Sequence, residues 1–307
     1  MSLEAEEAAV AAGLMYCASC GKAEVDDVKL KKCGCDLVKY CNINCQKNHR
    51  PQHKKACKKR MAELRDDNLF TQPDENYLGE CPICCLPLSI DASKSTLMGC
   101  CSKTICNGCQ YANKKREHEA GLEVRCAFCR EPLPKTEEES DKLTLKRVKK
   151  NDPAAMRHMG KKHIDKGDYD TAFKYLTKAA ELGDAMAHYN LSIMYHKGDG
   201  VEKDTEKEMY HVEQAAIGGH PWARHNLGCD EAKVGRFERA RKHWIIAANL
   251  GFEDSLKALM ALYKDGDASK EDYADALRAY QAAVEATKSS GRERAEEAMK
   301  IGEVERS

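Results

Sequence analysis

The chain has 307 residues, 50 Lys or Arg against 50 Asp or Glu, and 17 cysteines, 16 of them at or before Cys129. That length calls for two or three domains, and the zero net charge supplies no whole-protein field that would collect nucleic acid or a membrane surface. Aromatics are 6% and charged residues 33%, so the cysteine-rich part has little apolar material and needs staples, either metal or disulfide.

Residues 1–15, MSLEAEEAAVAAGLM, read as a short helical lead-in. Glu4, Glu6 and Glu7 stand where a secretory leader carries basic charge. No run approaches the roughly 18 apolar residues of a membrane helix. The expected setting is intracellular, cytoplasmic or nuclear, where thiols stay reduced. Clustered cysteines there are metal ligands, and zinc is the expected ion.

The first cluster occupies 16–60. Its donors run Cys17-x2-Cys20, Cys33-x-Cys35, Cys41-x3-Cys45 and His53-x3-Cys57, eight ligands for two tetrahedral ions. The string YCNINCQKNHRPQHKKAC resembles the MYND zinc finger. The resemblance implies an interleaved pairing, with Cys17, Cys20, Cys41 and Cys45 on one ion and Cys33, Cys35, His53 and Cys57 on the other. It also implies binding of short, often proline-containing peptides. The chain departs from the family in the single residue between Cys33 and Cys35, and in Arg50 where a Trp is usual. Seven Lys or Arg and no acid lie between Lys47 and Arg60, which reads either as a nucleic-acid face or as a solvated face offsetting thiolate charge. His49 is off the ligand spacing and reads as a surface residue.

After a linker over 61–79, the second cluster fills 80–134 with Cys81-x2-Cys84, Cys100–Cys101, Cys106-x2-Cys109 and Cys126-x2-Cys129. CPICCLPL, CCSKTICNGC and CAFCREPLP resemble the all-cysteine RING finger of Ccr–Not-type ubiquitin ligases. That resemblance puts Cys81, Cys84, Cys106 and Cys109 on one zinc and Cys100, Cys101, Cys126 and Cys129 on another. Adjacent side chains diverge in extended chain, so both Cys100 and Cys101 reach one ion only through a kink, for which Gly99 is the candidate; His118 is the substitute donor otherwise. Cys85 is off pattern, a buried or free thiol. The resemblance also makes Ile83, Arg130 and Pro132 a contact set for a ubiquitin-conjugating enzyme. Read as ordinary residues, Ile83 is core and Arg130 a surface charge.

Residues 135–152 read as a charged linker, partly helical. From Pro153 the pattern changes to helical spacing. Ala155/Met159, Ala187/Leu191, Ala223/Leu227 and Ser255/Leu259 recur at 32, 36 and 32 residues, and Ala179–Ala180, Ala215–Ala216 and Ala247–Ala248 at 36 and 32. Two anchors with one period define a repeat. Glycines at Gly183, Gly218 and Gly251 are expected to end the second helix of each pair in a left-handed turn. The anchors resemble the Sel-one-like repeat over 153–288, which implies an α-solenoid with a concave binding surface. Residues 289–307 read as a charged tail, and Cys229 as a core thiol.

The expected fold class is multidomain: two small cross-braced α+β zinc modules, then an all-α solenoid of about four helix pairs. No phosphate loop, nucleophile elbow or zinc-protease motif occurs. The ligand count closes every site, so the roughly four zinc ions are structural and no residue is expected to be catalytic. The function implied by the resemblances is a RING-type ubiquitin ligase that positions a conjugating enzyme and recruits protein substrates through the MYND finger and repeats. The alternative is a non-enzymatic interaction adaptor.

Overall fold

A computed structural model describes residues 15–24 and 29–301. The helical lead-in expected over 1–15 lies, but for Met15, outside the described residues, as do the last six residues of the expected tail. The chain divides into two units, one ending at Thr71 and one beginning at Gln72.

The first unit has little conventional core. Strands β1 (Lys31–Lys32) and β2 (Lys39–Tyr40) pair antiparallel. Helix α1 then runs from Ile43 to Leu69, unbroken through position 60. Asn42 caps it by accepting the Cys45 N–H at 2.9 Å. Pro51 sits inside α1, where it removes one backbone donor. Only His53 and Leu69 of this helix are buried, so its apolar packing is slight, and the buried cluster beside it consists largely of cysteines with Leu30 and Tyr40.

The second unit opens with the other cysteine module. Strands β3 (Ser95–Met98) and β4 (Lys103–Cys106) form an antiparallel hairpin in which Ser95 faces Cys106 and Met98 faces Lys103. Helix α2 (Asn107–Glu119) follows directly. Leu88, Met98 and Ile105 are buried among the cysteines. The segment read as a charged linker holds helix α3 (Glu137–Val148). Thr136 caps it, with Glu137, Glu138 and Glu139 in its first turn and Lys146 and Arg147 in its last, the charge order that suits the helix dipole.

Eight helices form the repeats: α4 (Pro153–Asp165), α5 (Tyr169–Glu181), α6 (Ala185–Lys197), α7 (Thr205–Ile217), α8 (Pro221–Lys233), α9 (Phe237–Asn249), α10 (Glu253–Asp265) and α11 (Lys270–Ala286). Ala155, Ala187, Ala223 and Ser255 are buried, as are Met159, Leu191, Leu227 and Leu259. The small residues permit close approach. A methyl group on Gly160 would lie 2.8 Å from Leu176, and one on Gly228 would lie 2.4 Å from Trp244. The turns between pairs share one hydrogen bond: Asp184, His220 and Phe252 donate to the carbonyls of Ala179, Ala215 and Ala247, as in a Schellman cap. The left-handed residues are Gly183, Gly219 and Gly251, with φ of 86°, 79° and 88°. Gly219, not Gly218, is therefore the turn glycine of the second pair. Gly218 stands at the last helical step, matching Leu182 and Leu250.

The segment read as a charged tail contains helix α12 (Ser290–Lys300), with Ala295 and Ala298 buried. It packs on α2. Its apolar residues are Ala295, Ala298 and Met299 among charges, too sparse to register as an amphipathic face.

Candidate metal centres

The sulfur-bearing residues are positioned by one repeated piece of backbone. In each knuckle the first cysteine donates its N–H to the carbonyl five residues on: Cys17 to Lys22, Cys33 to Val38, Cys81 to Leu86 and Cys126 to Glu131. The residue after the second cysteine takes a left-handed conformation: Gly21, Asp36, Cys85 and Arg130, with φ of 71°, 57°, 53° and 65°. Three knuckles close an inner bond from that residue back to the first cysteine's carbonyl, as in Cys85 N–H to Cys81 O at 2.9 Å. The shortened Cys33-x-Cys35 pair closes the same loop one residue tighter, with Asp36 N–H on Cys33 O at 2.9 Å. The missing residue is absorbed in the turn, and Cys35 is 0% exposed.

These knuckles meet α1, β4 and α2 to gather four quartets of donors: Cys17, Cys20, Cys41, Cys45; Cys33, Cys35, His53, Cys57; Cys81, Cys84, Cys106, Cys109; and Cys100, Cys101, Cys126, Cys129. Within each quartet the donor atoms lie within 4.8 Å of one another. Sulfurs of Cys20 and Cys41 are 3.6 Å apart, Cys33 and Cys57 3.7 Å, Cys84 and Cys106 3.8 Å, and Cys101 and Cys126 3.9 Å. A tetrahedron with Zn–S bonds of about 2.3 Å has edges of about 3.8 Å. The spacing is far beyond a disulfide bond and fits the edge of a zinc site. Cys35 Sγ and His53 Nε2 are 3.1 Å apart in the histidine quartet. All four clusters are suited to zinc.

Both members of the adjacent pair enter one quartet. Cys101 and Ser102 both donate to the Met98 carbonyl, at 3.2 and 2.7 Å. Ser102 carries the left-handed kink, with φ of 55°. Gly99 serves a different purpose from the expected kink: a methyl group there would lie 2.8 Å from Thr144 Oγ1 of α3. His118 is exposed on α2 and belongs to no quartet. Cys85 is exposed.

The electrostatics fit a dication. The Cys106 thiol and the N–H groups of Cys106, Cys84 and Ile83, acting against burial, draw Cys81 down to about 4. Against burial, backbone N–H groups including those of Cys41, Cys20 and Ser19 bring Cys17 down to about 6. Cys106 is pushed up by its hydrogen bond to Cys81 and then by burial, and Cys100 by burial and then by its hydrogen bond to Cys129. The Cys35 N–H draws Cys33 down, and against burial the Cys129 and Phe128 N–H groups draw Cys126 down. Each quartet thus has one thiol shifted toward thiolate, and a divalent cation offsets the charge that the raised thiols resist.

Supporting residues also emerge. His49 is half-buried: its Nδ1 lies 3.0 Å from Tyr40 Oη and its ring stacks on His53 at 5.7 Å. It orients a donor instead of lying free on the surface. Glu117, 1% exposed, accepts from the Arg125 N–H at 2.8 Å, from Asn113 at 3.1 Å and from Arg130. Arg130 also donates to Asn113 Oδ1 at 2.9 Å. Its guanidinium is turned onto the module's own helix. Ile83 and Pro132 are exposed, as is Phe128, which matches Ile83 in the last knuckle. Glu117 carried no spacing signal, since its role depends on where Arg125 and Arg130 fold. Cys229 lies in the repeats, half-buried, 3.5 Å from His225 Nε2.

The family model of the MYND finger matches residues 17–57. That of the Sel1 repeat matches 153–184, 185–220 and 225–252. No curated protein matches the chain. Among solved structures, the chain is similar to a Sel1 repeat protein from Oxalobacter formigenes, 27% identical with a TM-score of 0.43 over 58% of this chain and 72% of that one. It is also similar to a protective antigen of uropathogenic Escherichia coli strains displaying an SLR fold, 20% identical with a TM-score of 0.41 over 63% of this chain and 41% of that one. No helix among the described residues is long and apolar enough to cross a membrane. The chain therefore carries a MYND zinc finger, a second cysteine module suited to zinc, and a solenoid of Sel1 repeats.

Proposed function

We propose that the chain is a zinc-stapled interaction adaptor, its MYND finger and repeats each binding protein segments. The sixteen quartet residues are its proposed ligands, and the zinc is structural. The observation that carries this reading is that every quartet supplies four protein donors, leaving no open position for substrate or water of the kind catalytic zinc keeps. An array of proline-containing peptides probed with the intact chain tests the finger. Binding that disappears when a chelator removes the metal supports the reading; an array silent with the zinc-loaded chain overturns it.

A second reading, a RING-type ubiquitin ligase, is favoured by the exposure of Ile83 at 41% and Phe128 at 44%, apolar residues at the same position of two knuckles. Pro132, four residues after Phe128, is exposed as well. In this reading the module holds a charged conjugating enzyme and acts by positioning. Arg130 lends it less support, because its donors are already engaged by Glu117 and Asn113. Ile83→Ala is the clean probe. Autoubiquitination with a panel of conjugating enzymes should appear with the wild type and fall in this variant. Silence of the wild type with every enzyme removes the ligase and leaves the adaptor. Arg130→Ala should instead lower the module's thermal midpoint, since it takes from a buried carboxylate its closest cation and leaves only Arg116 at 3.6 Å.

A further inference from the structure

We propose that Arg292, on helix α12, is an outer-shell cation of the quartet Cys81, Cys84, Cys106 and Cys109, and that the C-terminal helix thereby sets how firmly this site holds its metal. The inference rests on reading that quartet as a zinc site.

The contact is long-range and specific. Arg292 lies 208 positions along the chain from Cys84, yet its Nη2 donates to Cys84 Sγ at 3.4 Å. The same guanidinium is fixed by three carbonyls: Leu86 at 3.1 Å, Pro87 at 2.7 Å and Thr287 at 2.6 Å. Two of these lie in the knuckle that contains Cys84, so the fork grips the ligand and the loop presenting it. Four thiolates around a dication leave a formally dianionic centre. A delocalised cation that donates to one sulfur delocalises that charge and directs the ligand. Lysine has the charge but not the fork.

The backbone around the contact is cut to admit it. A methyl group on Gly108, between the ligands Cys106 and Cys109, would lie 2.9 Å from Arg292 N and 3.0 Å from its Cα. Only glycine lets α12 come this near. Lys94 and Glu296 pair at 3.0 Å beside it, and Asn107 Nδ2 reaches Met299 Sδ at 3.8 Å. Among these contacts, Arg292 is the one that reaches a sulfur of the quartet.

The test uses the full chain and two readouts that do not depend on any activity. Zinc release to a competing chelator is followed with a colorimetric indicator. Arg292→Met should release one equivalent about tenfold faster or more, the usual effect of losing an outer-shell partner, while Arg292→Lys should fall between. In the cobalt-substituted chain, the sulfur-to-metal charge-transfer band should move to lower energy in Arg292→Met, because the thiolate has lost its donor. Gly108→Ala leaves every thiol and the guanidinium intact but displaces α12, and should speed the same equivalent. Unchanged release and an unchanged band in a folded Arg292→Met chain, or in Gly108→Ala should the first variant fail to fold, overturn the proposal. A wild type that lacks zinc in this quartet overturns the underlying reading and the proposal together, and zinc content of the untreated chain distinguishes the two failures.

Discussion

His220 shows how one side chain ties the repeats' stability to pH. It caps α8, its Nδ1 accepting the Ala223 N–H at 3.3 Å. Its ring stacks on Tyr189 at 4.3 Å and lies 4.6 Å from Tyr77. Burial, and then the charge of Arg157, push its pKa from 6.5 down to about 3. The unfolded chain therefore takes up a proton that the folded chain refuses. The stabilisation is complete above about pH 6.5 and is lost as pH falls from there toward about 3, at most 1.36 kcal/mol per pH unit. At pH 5 the loss from this residue is about 2 kcal/mol. In denaturant titrations that follow helix, the stability gap between wild type and His220→Gln should narrow by about that amount between pH 7.5 and 5. A gap constant with pH would mean that His220 is not held neutral.

Among the elements, the repeat pairs depend on matched sizes across each helix crossing. Gly228 leaves the space that Trp244 fills, and Trp244 Nε1 donates to the His225 carbonyl at 3.2 Å. Gly228→Ala should destabilise the array by roughly 1–3 kcal/mol through overpacking, read as a lower denaturant midpoint with an unchanged slope. The period of small and apolar residues made these pairs legible in the sequence, because the same crossing recurs at 32 and 36 residues. The ligand spacing was legible for a similar reason: a knuckle is local, and its donors sit two to four residues apart. The elements that sequence left obscure are those defined by distant neighbours. Helix α12 is covered by α2, Gly99 is demanded by Thr144, and Arg130 is drawn to Glu117. None of these partners leaves a periodic mark.

For the chain as a whole, the two cysteine modules and the repeats draw their stability from different sources. The repeats bury alanine, leucine and methionine, as around Leu176, Leu191 and Met194. The modules bury mostly their own proposed ligands, so metal binding there is folding free energy. A strong chelator should unfold 16–134 and leave most repeat helix in place, seen as a partial loss of far-ultraviolet ellipticity followed by an independent thermal transition. A single transition that ignores the chelator would deny the metal its structural part. The most direct test of the account is the zinc content per chain, measured by atomic emission on protein purified without chelator and without added metal. The four quartets predict four zinc ions, and three or fewer would contradict them.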